Sequence, residues 1–145
     1  MRVSRRTPTP PTRVRDLMTR GLVATHPEES LADVAARMRD QGVGAVAIME
    51  DDELIGIITE RDLSRATADG LSPRVTGASA YMTSRPFTID ADEEAGEAAS
   101  TMAARGIRHL PVTEAGRVVG LISARDLLLS NEPCRDLAEL AYEPW

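Results

Sequence analysis

Apolar positions follow two rhythms along this chain, and both rhythms occur twice. At helical spacing, Leu31, Val34, Ala35 and Met38 make one stripe, and Ala95, Ala98, Ala99 and Met102 make a second. Ser30 stands three residues before Asp33, a capping pattern that opens the first helix, and Gln41-Gly42 ends it. The remaining apolar runs are too short for helices and read as strands: Gly21–Thr25, Gly44–Met49 and Leu54–Ile58, then Pro86–Ile89, Leu110–Thr113 and Val118–Ile122. The last run of each set passes directly into hydroxyl-x-x-Asp, Thr59 to Asp62 and Ser123 to Asp126, the mark of a helix N-terminus. Each half therefore predicts strand–helix–strand–strand–helix.

The two halves are copies. Sliding the chain by 64 positions aligns Met18–Leu63 on Met82–Leu127 without a gap, and twelve of the 46 positions are identical. Gly56, Arg61, Asp62 and Leu63 are among them, and Ile55/Val119, Ile57/Leu121 and Thr59/Ser123 exchange like for like. Neither copy has two full apolar faces with which to close on itself. The expected architecture is an α/β (α+β) fold in which two three-stranded β-α-β-β-α units pack sheet to sheet as a pseudo-twofold pair. The boundaries expected are a disordered Arg/Pro-rich tail at 1–13, a first repeat at 14–66, a linker at 67–77, a second repeat at 78–130, and a C-terminal helix or tail at 131–145.

Composition narrows the function. Of the 145 residues 42% are hydrophobic but only 3% aromatic, so the core must be built from Val, Ile, Leu, Ala and Met. Five Arg lie within residues 1–15, and the remainder carries 12 Arg against 23 acids, a net −11 within an overall −6. An acidic body argues against a broad nucleic-acid surface. No apolar run has the length of a membrane span and no signal-peptide pattern opens the chain, so a cytoplasmic location is expected. Cys134, the one cysteine, excludes an internal disulfide, and with His26 and His109 it shows no metal-ligand spacing. All 17 basic residues are Arg, a composition that suggests a GC-rich bacterial genome.

The repeated stretches G-I-I-T-E-R-D-L (Gly56–Leu63) and G-L-I-S-A-R-D-L (Gly120–Leu127) admit two readings. In one, hydroxyl and carboxylate satisfy only the helix's own amides, contributing about 1 kcal/mol per cap. In the other, the helix start favours an anion and the carboxylate accepts from a ribose diol. Arg61 and Arg125, just inside the helix starts, read as partners of neighbouring acids, and the Glu50–Glu53 turn as a solvated acidic loop. No nucleophile–base pair and no Gly-rich phosphate loop is present, so no enzyme activity is expected.

In this order, V-R-D-L-M-T (Val14–Thr19) with its echo Y-M-T (Tyr81–Thr83), the paired Met-then-Gly helix ends, R-H-L-P-V (Arg108–Val112) and the two G-h-h-[ST]-x-R-D-L stretches, h being apolar, resemble a tandem pair of CBS domains. The resemblance covers residues 14 to about 130. It implies a disc with two clefts, many of which in that family take adenine nucleotides or adenosyl ligands. It further implies ribose contacts at Asp62 and Asp126, phosphate or ribose contacts at Thr59 and Ser123, and phosphate contacts at Arg108 and His109, with Pro111 counted among the ligand-binding residues. Copy one has Gly44-Ala45-Val46-Ala47 where copy two has Arg108-His109-Leu110-Pro111. One competent cleft is therefore expected, combining Thr59 and Asp62 with Arg108 and His109, and the Ser123/Asp126 cleft should be weaker or empty.

The function this implies is a stand-alone, non-catalytic regulatory module that takes AMP, ADP, ATP or S-adenosylmethionine as ligand, requires no cofactor or metal, forms a homodimer and signals to a downstream protein. The alternative is a ligand-free structural or stress-associated dimer that serves as a protein-interaction module.

Overall fold

The first half runs α1 (Val14–Leu17), β1 (Thr19–Arg20), β2 (Ala24–Thr25), α2 (Leu31–Gln41), β3 (Ala45–Glu50), β4 (Glu53–Thr59) and α3 (Glu60–Ala68). After a 3₁₀ turn at Ala78–Ala80 the second half runs β5 (Thr83–Ser84), β6 (Ile89–Asp90), α4 (Ala95–Arg105), β7 (His109–Glu114), β8 (Arg117–Ser123) and α5 (Ala124–Leu129). The computed structural model describes residues 10–130. Most of the N-terminal tail, the C-terminal helix expected after Asn131 and Cys134 lie outside the described residues.

Local chemistry explains the elements. The Ser30 hydroxyl accepts the Asp33 N–H at 3.2 Å, and Gly42 and Gly106 end α2 and α4 at φ 64° and 63°, where glycine escapes the Cβ clash. The hairpins β3–β4 and β7–β8 turn on two left-handed residues each, Asp51-Asp52 and Ala115-Gly116. Asp tolerates that conformation better than most side chains, so the acidic turn has a backbone reason. Helix α3 continues to Ala68, with Ala66 buried, into what the sequence pattern reads as linker.

Strand pairing departs from the sequence pattern. Three strands per unit are expected, but each sheet has four, in the orders β2-β3-β4-β5 and β1-β8-β7-β6. The fourth strand is exchanged: β1 of the first copy pairs antiparallel with β8 of the second, and β5 pairs with β4 of the first. The expected strand Gly21–Thr25 shrinks to Ala24–Thr25, because the chain crosses between sheets at Gly21, whose φ is 84°. The exchanged strands are two residues long, polar and exposed, so no hydrophobic pattern marks them.

The exchange extends to the cores. Val14, Leu17 and Met18 pack with Ala95, Ala98, Met102, Leu110 and Ile122 of the second copy, and Ala78, Tyr81 and Met82 pack with Val34, Met38, Val46 and Ile58 of the first. Residues 14–20 belong by sequence to one repeat and by packing to the other. Backbone bonds hold the exchange, Val14 N–H donating to Glu93 O at 2.9 Å and Ala78 N–H to Glu29 O at 2.8 Å. Because side chains alternate along a strand, Val46, Ile48 and Ile58 face the helices while Ala45, Ala47 and Ile57, equally buried, face the other half.

Gly56 and Gly120 make the exchange possible. Neither has positive φ, so what they supply is space. A Cβ on Gly120 would run into the Thr19 carbonyl of β1; one on Gly56 would lie 2.5 Å from Met82 Sδ and 3.1 Å from the Thr83 carbonyl oxygen of β5. A flexible thioether can move aside, whereas a strand backbone cannot. Gly120→Ala should therefore lower stability by about 1–3 kcal/mol in urea unfolding, and Gly56→Ala by less. Equal and negligible effects would show that the exchanged strands tolerate displacement.

Candidate functional site

Both strand-to-helix corners form capping boxes. Thr59 N–H donates to Asp62 Oδ2 at 2.9 Å and the Thr59 hydroxyl donates to the same oxygen at 3.2 Å. Ser123 N–H donates to Asp126 Oδ2 at 2.8 Å, and Asp126 N–H donates to Ser123 Oγ at 3.2 Å. The capping reading is thus realised, at the cost of one carboxylate oxygen per corner. The other oxygen of Asp62, a residue only 6% exposed, faces Arg65 Nη1 at 3.5 Å. Capping fixes the carboxylate in place and leaves it an acceptor, so the two readings are compatible.

Each corner is tied to the strand beside it. Glu60 N–H donates to the Gly44 carbonyl at 3.1 Å, and Ala124 N–H to the Arg108 carbonyl at 2.8 Å. His109 lies opposite Ser123 in the β7–β8 ladder. These contacts bring Thr59, Asp62, Arg108 and His109 to the wall of one cavity of about 370 Å³, together with Ile57, Phe87 and Ile107. Pro111, opposite Leu121, is buried within β7 and lines neither this cavity nor the next.

Ser123 and Asp126 line a second cavity, of about 990 Å³, with Val23, Ala45 and Leu121. Arg108 and His109 line this one too. Matching the repeats residue by residue assigns the basic pair to one cleft; in space it stands at the boundary of both. Arg61 lines the smaller cavity and Arg125 the larger, where the sequence suggested partners for neighbouring acids. His26 is an exposed turn residue whose carbonyl accepts Glu29 N–H at 3.2 Å.

Two lining residues escape a reading that looks for motifs. Phe87, the one phenylalanine of the chain, is 49% exposed at the smaller cavity, with the Arg105 guanidinium 4.3 Å from its ring centroid. Glu60 lines both cavities. Their counterparts 64 positions away are Val23 and Ala124, so the signal lies in where the copies differ.

Two copies of one α+β unit that exchange strands and meet over paired clefts define a tandem-repeat fold. The chain belongs to the CBS domain family, which it matches twice, at residues 14–69 and 78–131. It is similar to the uncharacterized protein MK0525 of Methanopyrus kandleri, 36% identical over 118 residues, which make up 79% of this chain and 60% of that relative's length. Among solved structures it is similar to the CBS domain protein PAE2072 from Pyrobaculum aerophilum complexed with AMP, at 27% identity and TM-score 0.77, over 90% of this chain and 99% of that one. It is also similar to the CBS domain pair of protein MJ0100 in complex with 5′-methylthioadenosine and S-adenosyl-L-methionine, at 26% identity and TM-score 0.76, over 82% of this chain and 94% of that one. Among the described residues no helix is long and apolar enough to cross a membrane.

The electrostatics of His109 have a measurable consequence. Burial pushes its imidazole below the ordinary value; Glu60 on α3 and Asp126 on α5 pull the other way, and Arg108 adds to the lowering. Below about pH 6.5 the unfolded chain's imidazole takes up a proton that the folded one refuses. Its contribution to stability is therefore full above the ordinary pKa and is lost as pH falls through it toward the folded value. His109→Gln should lose less stability than the wild type between about pH 7.5 and 5 in urea unfolding. Parallel losses in the two proteins would show that His109 is not responsible.

Proposed function

We propose that this chain is a non-catalytic regulatory module that binds an adenine nucleotide of the AMP class in the smaller cavity. The observation that carries the reading is the convergence of a capped Asp-Thr corner from one copy with a basic pair from the other in a single cavity. Its volume of about 370 Å³ falls in the range of small-ligand sites. Asp62 accepts from the ribose hydroxyls, with Thr59 beside it. The Arg108 fork pairs with two phosphate oxygens and His109 donates to a third. The face of Phe87 away from Arg105 stacks on the base. The AMP-bound PAE2072 structure supports the ligand class.

Ligand in this cavity touches both copies, so it favours whichever arrangement of the halves lets Asp62 and Arg108 reach it together. That differential affinity is the means of signalling to a downstream protein. Leu128 and Leu129, exposed to 57% and 75% on α5, supply an apolar surface for a homodimer in the cytoplasm.

Calorimetric titration of nucleotide-free protein with AMP tests the reading. Saturable binding is expected, weakened about tenfold or more by Asp62→Ala and by Arg108→Ala. Asp62→Ala should in addition cost about 1 kcal/mol of stability, the worth of the lost cap. No heat from folded, nucleotide-free protein would overturn the reading in favour of a ligand-free interaction module.

A further inference from the structure

We infer that the two clefts share one phosphate subsite, so that each chain holds a single phosphorylated ligand while the second cleft takes an adenosyl compound without phosphate. The inference rests on the nucleotide reading of the smaller cavity and extends it to the larger one. Its basis is the identity of the shared wall: Gly44, Glu60, Arg108 and His109 line both cavities. In a symmetric pair each cleft would have its own basic residues, one pair from β3 and one from β7. Here the counterparts of the pair, at the start of β3, are Gly44 and Ala45, so of the two pairs only that of Arg108 and His109, at the start of β7, is present.

Beside Gly44, where the second copy has its arginine, stands a carboxylate, the wrong charge for a second phosphate. A Cβ placed on Gly44 would lie 3.4 Å from His109 Nε2 and 3.7 Å from Glu60 Oε2. The imidazole and the Glu60 carboxylate therefore meet over the glycine, between the two cavities. One guanidinium fork is filled by the oxygens of one phosphate. A second phosphate at this boundary would face the first, together with Glu60 and, in the larger cavity, Asp126, all within reach of one another at ordinary ionic strength.

The other arginines do not replace the missing one. Arg39, at the larger cavity, is paired with Asp40 at 2.8 Å. Arg125 and Arg61 are exposed at matched places, one per cleft, and so do not distinguish the two. The larger cavity retains what a nucleoside needs. It has the capped Asp126 with Ser123 for a ribose, and Val23, Val43 and Leu121 as an apolar wall for a base. Its carboxylates are compatible with a neutral or cationic substituent in place of phosphate.

The test is equilibrium dialysis and calorimetry of the full chain with AMP and with adenosine as probes. AMP should saturate at one equivalent per chain, and adenosine should then fill a second equivalent. A second AMP should bind more weakly than the first by about tenfold or more. The double variant Gly44→Arg/Glu60→Ala, which gives the first copy the residues that the second has at Arg108 and Ala124, should admit a second AMP. Glu60→Ala alone changes only an exposed side chain, and should strengthen the first AMP severalfold. Two AMP equivalents of matched affinity in the wild type would overturn the shared subsite and leave the nucleotide reading standing. So would one AMP with no adenosine beside it, or a folded double variant still limited to one AMP. Absence of binding by both probes would remove the nucleotide reading itself, and the inference with it.

Discussion

The whole arrangement depends on close passage of one backbone over another at two glycines. At Gly120 the first copy's β1 lies so near the β8 backbone that there is no room for a side chain, and Gly56 meets β5 in the matching place. Each exchanged strand is two residues long and gains little from its own hydrogen bonds. It holds because it anchors a neighbouring apolar segment, Val14–Met18 on one side and Ala78–Met82 on the other, in the partner core. The copies are thus interlocked as well as packed. The interlock also sets where the clefts lie, since Thr19 and Thr83 of the exchanged strands each line one of them.

A duplicated unit starts with duplicated sites, and the departures from symmetry show what each site has become. The scaffold residues are retained in both copies: the glycines at the exchange, the left-handed glycines that end α2 and α4, and the capped aspartates. Several of the residues that differ line the cavities. Arg108 and His109 face Gly44 and Ala45, Glu60 answers to Ala124, and Phe87 to Val23. A cleft that began as one of an equal pair thereby acquires its own charge and its own aromatic wall, without altering the parts that hold the fold together.

Asp62 and Asp126 show how little separates structure from function at these corners. A carboxylate that caps a helix must be held within hydrogen-bond distance of the backbone, and that restraint is also what a ligand contact requires. The cap uses one oxygen, leaving the second directed by the same geometry. The linkage explains why local sequence could not choose between a cap and a binding residue. A cap and a binding residue make the same demand on these atoms, and what tells them apart is what stands across the cleft.

The sequence by itself determined the elements that depend on neighbours along the chain. Helices α2 and α4, with Ser30 opening the first and glycine closing both, follow from residues three or four apart. The two hairpins and the two hydroxyl-x-x-Asp corners follow from runs of a few residues, and the 64-residue repeat was legible in full. It also grouped Thr59, Asp62, Arg108 and His109, once the copies were set in opposition, and these four line one cavity. Only the tertiary structure decided the exchange of β1 and β5, because strands of two polar residues carry no periodicity and are chosen by the space left at Gly56 and Gly120. It alone decided that Arg108, His109 and Glu60 border both cavities. Alignment of the copies gives each residue one counterpart, whereas a side chain at the boundary between two halves has two neighbours.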